Sequence, residues 1–282
     1  MTNLLATRFA KNNPQINSRT PLDDNTLRAV VPSLFADEAH DSRSTRYVYV
    51  PTIELVDALR KEGFQPFMAA QARPRDEDRR GHTKHMLRLR RTDDIGAGEA
   101  AEVVIVNSHD GTSAYQMFAG MIRYVCTNSL ISGQRFEEVR VPHKGNIADQ
   151  IIEGAYTIAK DFPRLIDATA EMKATTLTPA EQGVFARAAL VARYGDEAES
   201  PVTRGQILSV RRRDDTGSSL WATLNVTQEN IMRGGLHGRK LDENGRIRRS
   251  TTRPINGIDQ SVTINRALWT LAEGMQAIKQ AA

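Results

Sequence analysis

Two hydropathy periods divide the chain, and the point where one gives way to the other limits the folds open to it. Over residues 64–70, 84–91, 101–108, 114–118, 121–127 and 136–141 the apolar residues come in short runs separated by turn residues. Runs of that length with β-branched content predict strands. Beyond residue 146 the period becomes 3.6. Ile151, Ile152, Ala155, Ile158, Ala159 and Phe162 share one helical face, and Thr178-Pro179-Ala180-Glu181 spells a capping box with proline at the first helical position. Leu220, Trp221, Leu224 and Ile231 predict a further helix ending at Gly234-Gly235, and residues 264–278 a final amphipathic one. Strands first and helices second predict an α+β fold, a mixed, largely antiparallel sheet in the N-terminal half backed by helices of the C-terminal half. The expected domains are a flexible arm over 1–20, a β-rich core with short helices over 21–145, and a helical part over 146–282 that carries a basic loop at 236–260.

Local signals refine this outline. Asp23 or Asp24 can cap a short helix through Leu27 and Val30 that Pro32 interrupts, Tyr47-Val48-Tyr49-Val50 reads as a strand, and Thr52 as the N-cap of a helix ending at Gly63. In His85-Met86-Leu87-Arg88-Leu89-Arg90 the alternation places Met86, Arg88 and Arg90 on one face and His85, Leu87 and Leu89 on the other, which predicts a half-buried strand with a basic outer face. Val103-Val104-Ile105-Val106 is continuously apolar, as a central strand covered on both sides would be.

With 282 residues, 40% hydrophobic and 26% charged, the composition is that of a globular protein and excludes fibrous, low-complexity and disordered classes. No apolar run approaches the roughly 18 residues of a membrane helix, and the start, Met1 to Arg8, is too short and polar for a signal peptide. A cytoplasmic protein without membrane contact is the expectation. Cys126, the single cysteine, excludes an internal disulfide framework and a Cys-rich metal site, and its apolar strand context reads as a small buried hydrophobe.

The net charge of +4 is segregated along the sequence. Residues 73–91 carry +5 and residues 204–253 carry +6, while residues 149–199 hold nine acids against five bases. Clustered cations displace condensed counterions from phosphate backbones, so segregation of this kind suits a polyanion partner. Solvated loops whose charges are answered by acids are the alternative. Tyr47, Tyr115, Tyr124 and Trp221 lie near basic residues or on strands, where they could stack on bases or simply fill the core.

For chemistry, the unusual string is Asn107-Ser108-His109-Asp110-Gly111-Thr112-Ser113, which follows the most apolar strand. His109 could serve as a base with Asp110 as partner, helped by His85 or His143; a tight turn satisfied by Asn107, Asp110 and Gly111 explains the same residues. His82 and His85 point to opposite faces of a strand and would not chelate one metal, so neither a metal nor a cofactor is expected. Walker, His-Glu-x-x-His and Gly-x-Gly-x-x-Gly strings are absent. His143 and Lys144 before a long helix could meet a phosphate, as could an ordinary helix entry.

The strings Ser42-Arg43-Ser44-Thr45-Arg46-Tyr47, Glu62 to Phe67, His82 to Arg91, Asn107 to Ser113, Glu138 to Gly145 and Asn265 to Trp269 carry a resemblance. From about residue 20 to the last helix the chain resembles the YfjQ/YafZ family of prophage and plasmid proteins, within a wider phage/plasmid-like family whose domain is of unknown function. The resemblance implies a mobile-element context, often beside antirestriction and DNA-repair-type genes, and transfers no catalytic residues. The leading expectation is a non-enzymatic protein that binds DNA, single-stranded in preference, or RNA, without strong sequence preference. It would serve recombination, single-strand annealing as a homo-oligomer, or anti-defence. Its expected contacts are Arg88, Arg90, Arg91, Arg123, Tyr124, Lys144, Arg211, Arg212, Arg213, Arg239, Lys240, Arg246, Arg248, Arg249 and Arg253. The alternatives are a nucleic-acid hydrolase using His109 and Asp110, and an inhibitor that binds a host defence nuclease through the acidic stretch.

Overall fold

The computed structural model describes residues 14–41, 47–73, 79–91, 98–124, 128–133 and 135–281, so Cys126, the string 42–46 and the first thirteen residues of the expected arm lie outside the described residues. The chain is α+β and divides into two units. One comprises Met1–Ile131, Arg135–Leu165 and Asn256–Ile258; the other comprises Ser132–Gln134, Ile166–Ile255 and Asp259–Ala282.

The first unit is built on a seven-stranded sheet in the order β1 (Gln15–Asn17), β2 (Phe64–Gln71), β3 (His85–Arg91), β4 (Glu99–Asn107), β5 (Tyr115–Arg123) and β6 (Asn128–Ile131). β7 (Glu138–Val141) pairs with the first half of β5, along the edge whose second half takes β6. Every pairing is antiparallel. Residues 114–118 and 121–127, read as two strands, contribute to one continuous β5, because nothing between them forces a turn. β1 forms inside the expected arm, with Ile16 opposite Ala69. Residues 47–50 are not a strand; Val48 N–H instead donates to the His143 carbonyl at 3.0 Å.

Helices cover this sheet through their apolar faces. α1 (Asp24–Val30) starts where Asp23 Oδ1 accepts from Thr26 N–H at 2.7 Å. α2 (Thr52–Lys61) buries Leu55, Val56 and Leu59. α3 (Ile147–Lys160) lies on β4, β5 and β7, and Gly154 permits that approach: a Cβ there would stand 2.9 Å from Met117 Sδ and from Val139 Cγ1. Of the helices in the second half of the chain, only α3 belongs wholly to the sheet's unit.

The second unit is helical apart from one hairpin. It takes α4 (Phe162–Ala174) from residue 166 onward, then α5 (Pro179–Tyr194), α6 (Arg204–Ile207), α7 (Leu220–Arg233) and α8 (Ile258–Ala281), the last from Asp259. The Thr178–Glu181 capping box forms as the sequence implies, and α5 stops at Gly195 with φ 86°. α7 is buried almost all round. Two of its buried amides are tied to neighbouring segments: Gln228 donates to Asn265 at 2.9 Å, and Asn230 donates to the carbonyls of Ile207 and Ser209. Where a loop was expected over 236–260, β8 (His237–Leu241) and β9 (Ile247–Thr251) form an antiparallel ribbon. Among the described residues no helix is long and apolar enough to cross a membrane.

Candidate functional site

The expected cationic contacts fall into two groups once burial is known. Arg88 and Arg90 do not form a basic outer face. β3 is covered on both sides, and each arginine is only 1% exposed. Both turn toward Glu102 of β4, itself 0% exposed: Arg90 Nε donates to Oε1 at 2.7 Å and Arg88 Nη1 to Oε2 at 3.1 Å. Arg88 also donates to the carbonyls of Ser129 and Leu130 on β6. Arg90 lies over the rings of Phe67 and Tyr124, at 4.6 and 5.2 Å from their centroids. No phosphate reaches either arginine in this fold, so both are removed from the contact set. Alternation misled because a buried ion pair has the same period as an exposed basic face.

Arg123 lies 3.6 Å from Glu99, and Tyr124 has its hydroxyl buried, which leaves Arg91 and Lys144 as the exposed expected cations of this unit. In the second unit, Arg211 Nε donates to Asn230 Oδ1 and Arg212 forms a two-bond pair with Glu229, which Arg233 also meets at 2.7 Å. These two arginines fasten the 209–215 segment to α7, while Arg213 stays exposed.

The histidine candidates converge at one end of the sheet. His85 opens β3, Asn107 closes β4, His109 follows it, Tyr115 opens β5, and His143 follows β7; Thr52, the first residue of α2, sits among them. Tautomers follow from the partners. His85 Nδ1 faces the Thr83 carbonyl at 3.2 Å and Ser33 Oγ at 3.0 Å. A carbonyl can only accept, so Nδ1 carries the proton and Nε2 accepts from the Thr52 hydroxyl at 3.0 Å. The same oxygen accepts from His109 Nε2 at 2.9 Å, which leaves His109 Nδ1 as a buried lone pair without a partner. His143 Nε2 donates to Asn107 Oδ1 at 3.0 Å and its ring stacks on Tyr47 at 4.3 Å.

Burial lowers the pKa of all three imidazoles, to about 4 for His85 and further for His109, where the neighbouring His85 and His143 add to the effect. They are neutral at pH 7. Asp110 is not the partner of His109: its Oδ1 accepts from Thr112 N–H at 3.0 Å and Thr112 Oγ1 at 2.6 Å, an Asx turn. The expected dyad therefore does not form. The expected helpers, His85 and His143, do join His109, together with Thr52, Asn107 and Tyr115, which sequence reasoning missed. Thr52 was read as an N-cap, yet its hydroxyl serves the histidines and Pro51 occupies the cap. Among the described residues no group of three or more His, Cys, Asp or Glu side chains is placed to hold a metal ion.

Exposed positive charge gathers on the β8–β9 ribbon. Its register sets Arg239 directly opposite Arg249, and Lys240 opposite Arg248. The second pair is answered, Lys240 by Glu199 at 3.4 Å and Arg248 by Asp242 at 2.7 Å. Arg239, Arg249, and nearby Arg246 and Arg253 are exposed and make no ion pair among the described residues. Asp242 also shapes the turn, accepting from Asn244 and Arg246 N–H, and these bonds with Arg248 hold its carboxyl below the usual range.

A family model described as "Domain of unknown function (DUF932)" matches residues 39–269, which include the histidine cluster and the ribbon. The chain belongs to the DUF932 family. Among this DUF932 protein's relatives, UPF0380 protein YafZ of Escherichia coli (strain K12) is 49% identical over 271 residues, covering 96% of this chain and 97% of the relative. UPF0380 protein YfjQ of the same organism is 49% identical over 269 residues, covering 95% and 96%. No solved structure gives a significant match.

Proposed function

We propose that this DUF932 protein binds nucleic acid without strong sequence preference, on behalf of mobile elements, and that the cations of the β8–β9 ribbon make the contact. One observation carries the reading: two arginines face each other across an exposed ribbon with no carboxylate between them. Like charges directly opposite destabilise an antiparallel pair, and a polyanion relieves that repulsion. Roles in recombination, single-strand annealing or anti-defence rest on the family resemblance. A hydrolytic reading lacks its His109–Asp110 pair. A nucleic-acid-mimicking inhibitor is weakened because Glu181 and Glu197 of the acidic stretch are engaged by Lys279 and Arg204.

An electrophoretic shift at several salt concentrations tests the proposal. Four open cations, Arg239, Arg246, Arg249 and Arg253, give a slope of log K against log salt of about −3 for a single strand. Arg239→Ala with Arg249→Ala should lower that steepness by about 1.4. Absence of retention at low salt, or an unchanged slope in the double variant, refutes the assignment.

A further inference from the structure

Beside the ribbon runs an open groove of about 1180 Å³, bounded on one side by the ribbon and on the other by the segment from Ser200 to Gln206. Six ribbon residues line it, Gly238 and Ser250 among them, and the other four are two cross-strand pairs, His237 with Thr251 and Arg239 with Arg249. These four therefore share one face of the ribbon. His237 Nδ1 and Thr251 Oγ1 lie 3.1 Å apart, which fixes the ring next to the arginine pair. The carboxylate in the lining, Glu197, is already shared by Arg187 at 3.2 Å and by Arg204, so it does not answer Arg239 or Arg249.

The second wall is held by its own bonds. Thr203 and Gln206 form a reciprocal capping box, Ser200 Oγ donates to the Val202 carbonyl at 2.8 Å, and Arg239 N–H donates to the Pro201 carbonyl at 2.8 Å. Gly238 makes the junction possible, since a Cβ there would stand 1.8 Å from the Pro201 oxygen. The walls are thus joined through the ribbon's main chain, whose His237 carbonyl also accepts from Gln206 Nε2 at 2.6 Å, and the arginines are left for a ligand.

From this we infer that the groove is the seat of a single, unpaired nucleic-acid strand, held by its phosphodiester backbone between Arg239 and Arg249; the inference rests on the nucleic-acid reading above and names its substrate class. The volume exceeds the roughly 300–1,000 Å³ of ordinary small-molecule pockets, and the groove is open, as a polymer that enters and leaves requires. Two guanidiniums and a row of hydroxyls recognise phosphate and sugar, which every nucleotide shares. His237 supplies the one aromatic ring among the described lining residues, so base stacking is limited and sequence preference slight.

The test compares two substitutions equal in charge. Thr251→Glu puts a carboxylate in the groove, and Gln260→Glu puts one on exposed α8 outside its lining. Binding of a labelled 20-nucleotide single strand and of the matching duplex is measured at fixed ionic strength, with melting curves confirming that both variants fold. Thr251→Glu should weaken single-strand binding at least tenfold and Gln260→Glu less than twofold, with the unsubstituted protein preferring the single strand. Equal effects of the two substitutions, a duplex bound as tightly as the single strand, or release of the strand by millimolar nucleoside monophosphate would each overturn the groove assignment while leaving nucleic-acid binding in place. No binding of either oligonucleotide by the unsubstituted protein instead overturns the nucleic-acid reading itself.

Discussion

Arg88 and Arg90 lie two residues apart on β3 and share Glu102; Arg239 and Arg249 face each other across the β8–β9 ribbon and share nothing. Both are pairs of like charges on one face of a sheet. The first is enclosed, where an unanswered guanidinium costs several kcal/mol, so a carboxylate, two carbonyls and two aromatic rings surround it. The second is in water, where repulsion costs only a few tenths of a kcal/mol and can be left for a ligand to remove. Position, rather than residue type, separates an arginine that builds the fold from one that is free to bind.

The contrast is broken most severely by Glu102→Gln, which leaves two buried guanidiniums without a counter-charge. A loss of about 3–5 kcal/mol is expected, read from urea unfolding at pH 7, whereas a loss under 1 kcal/mol would mean that the buried pair does not depend on its carboxylate. Acid acts next. His85, His109 and His143 are neutral in the folded protein, while in the unfolded chain they take up protons near pH 6.5. Stability is therefore complete above about pH 7 and declines as pH falls from about 6.5 toward 4, by as much as ~1.4 kcal/mol per pH unit for each of His85 and His109, with His143 adding in the same direction. Melting curves from pH 7.5 to 5 should show this decline, and His109→Asn should flatten it. A profile equally steep in that variant would deny the cluster its role.

Smaller effects sharpen the ribbon side. Asp242→Ala removes an acceptor for two turn N–H groups and for Arg248, so the ribbon should become slightly less stable, while the proposed nucleic-acid affinity should rise through the freed cation. Limited proteolysis and the shift assay read the two changes separately. Arg249→Ala should raise stability slightly, by about 0.2–0.5 kcal/mol, because it ends the cross-strand repulsion. A fall in melting temperature there would show that Arg249 has a structural partner.

Features set by neighbours in sequence were legible. Asp23, Thr178 with Glu181, and Gly195 act within four residues and appear where their spacing predicts. The buried network was not, because its members are brought together by strand pairing. Glu102 meets residues 12 and 14 positions away, and Thr52 meets His85 and His109 from 33 and 57 away. A signal existed: Glu102 is a lone charge in an otherwise apolar run, and such a charge needs an opposite one on an adjacent strand. At the ribbon, Asp242-Glu243-Asn244-Gly245 is a turn sequence, but flanking arginines masked the strand alternation, since both faces are polar.

The main-chain fastening of the ribbon, glycine against a proline carbonyl, separates its architecture from its side chains. Descendants of this sequence could therefore exchange or lose the open cations one at a time without passing through an unfolded ancestor. The enclosed trio has no such freedom: its members must change together or not at all.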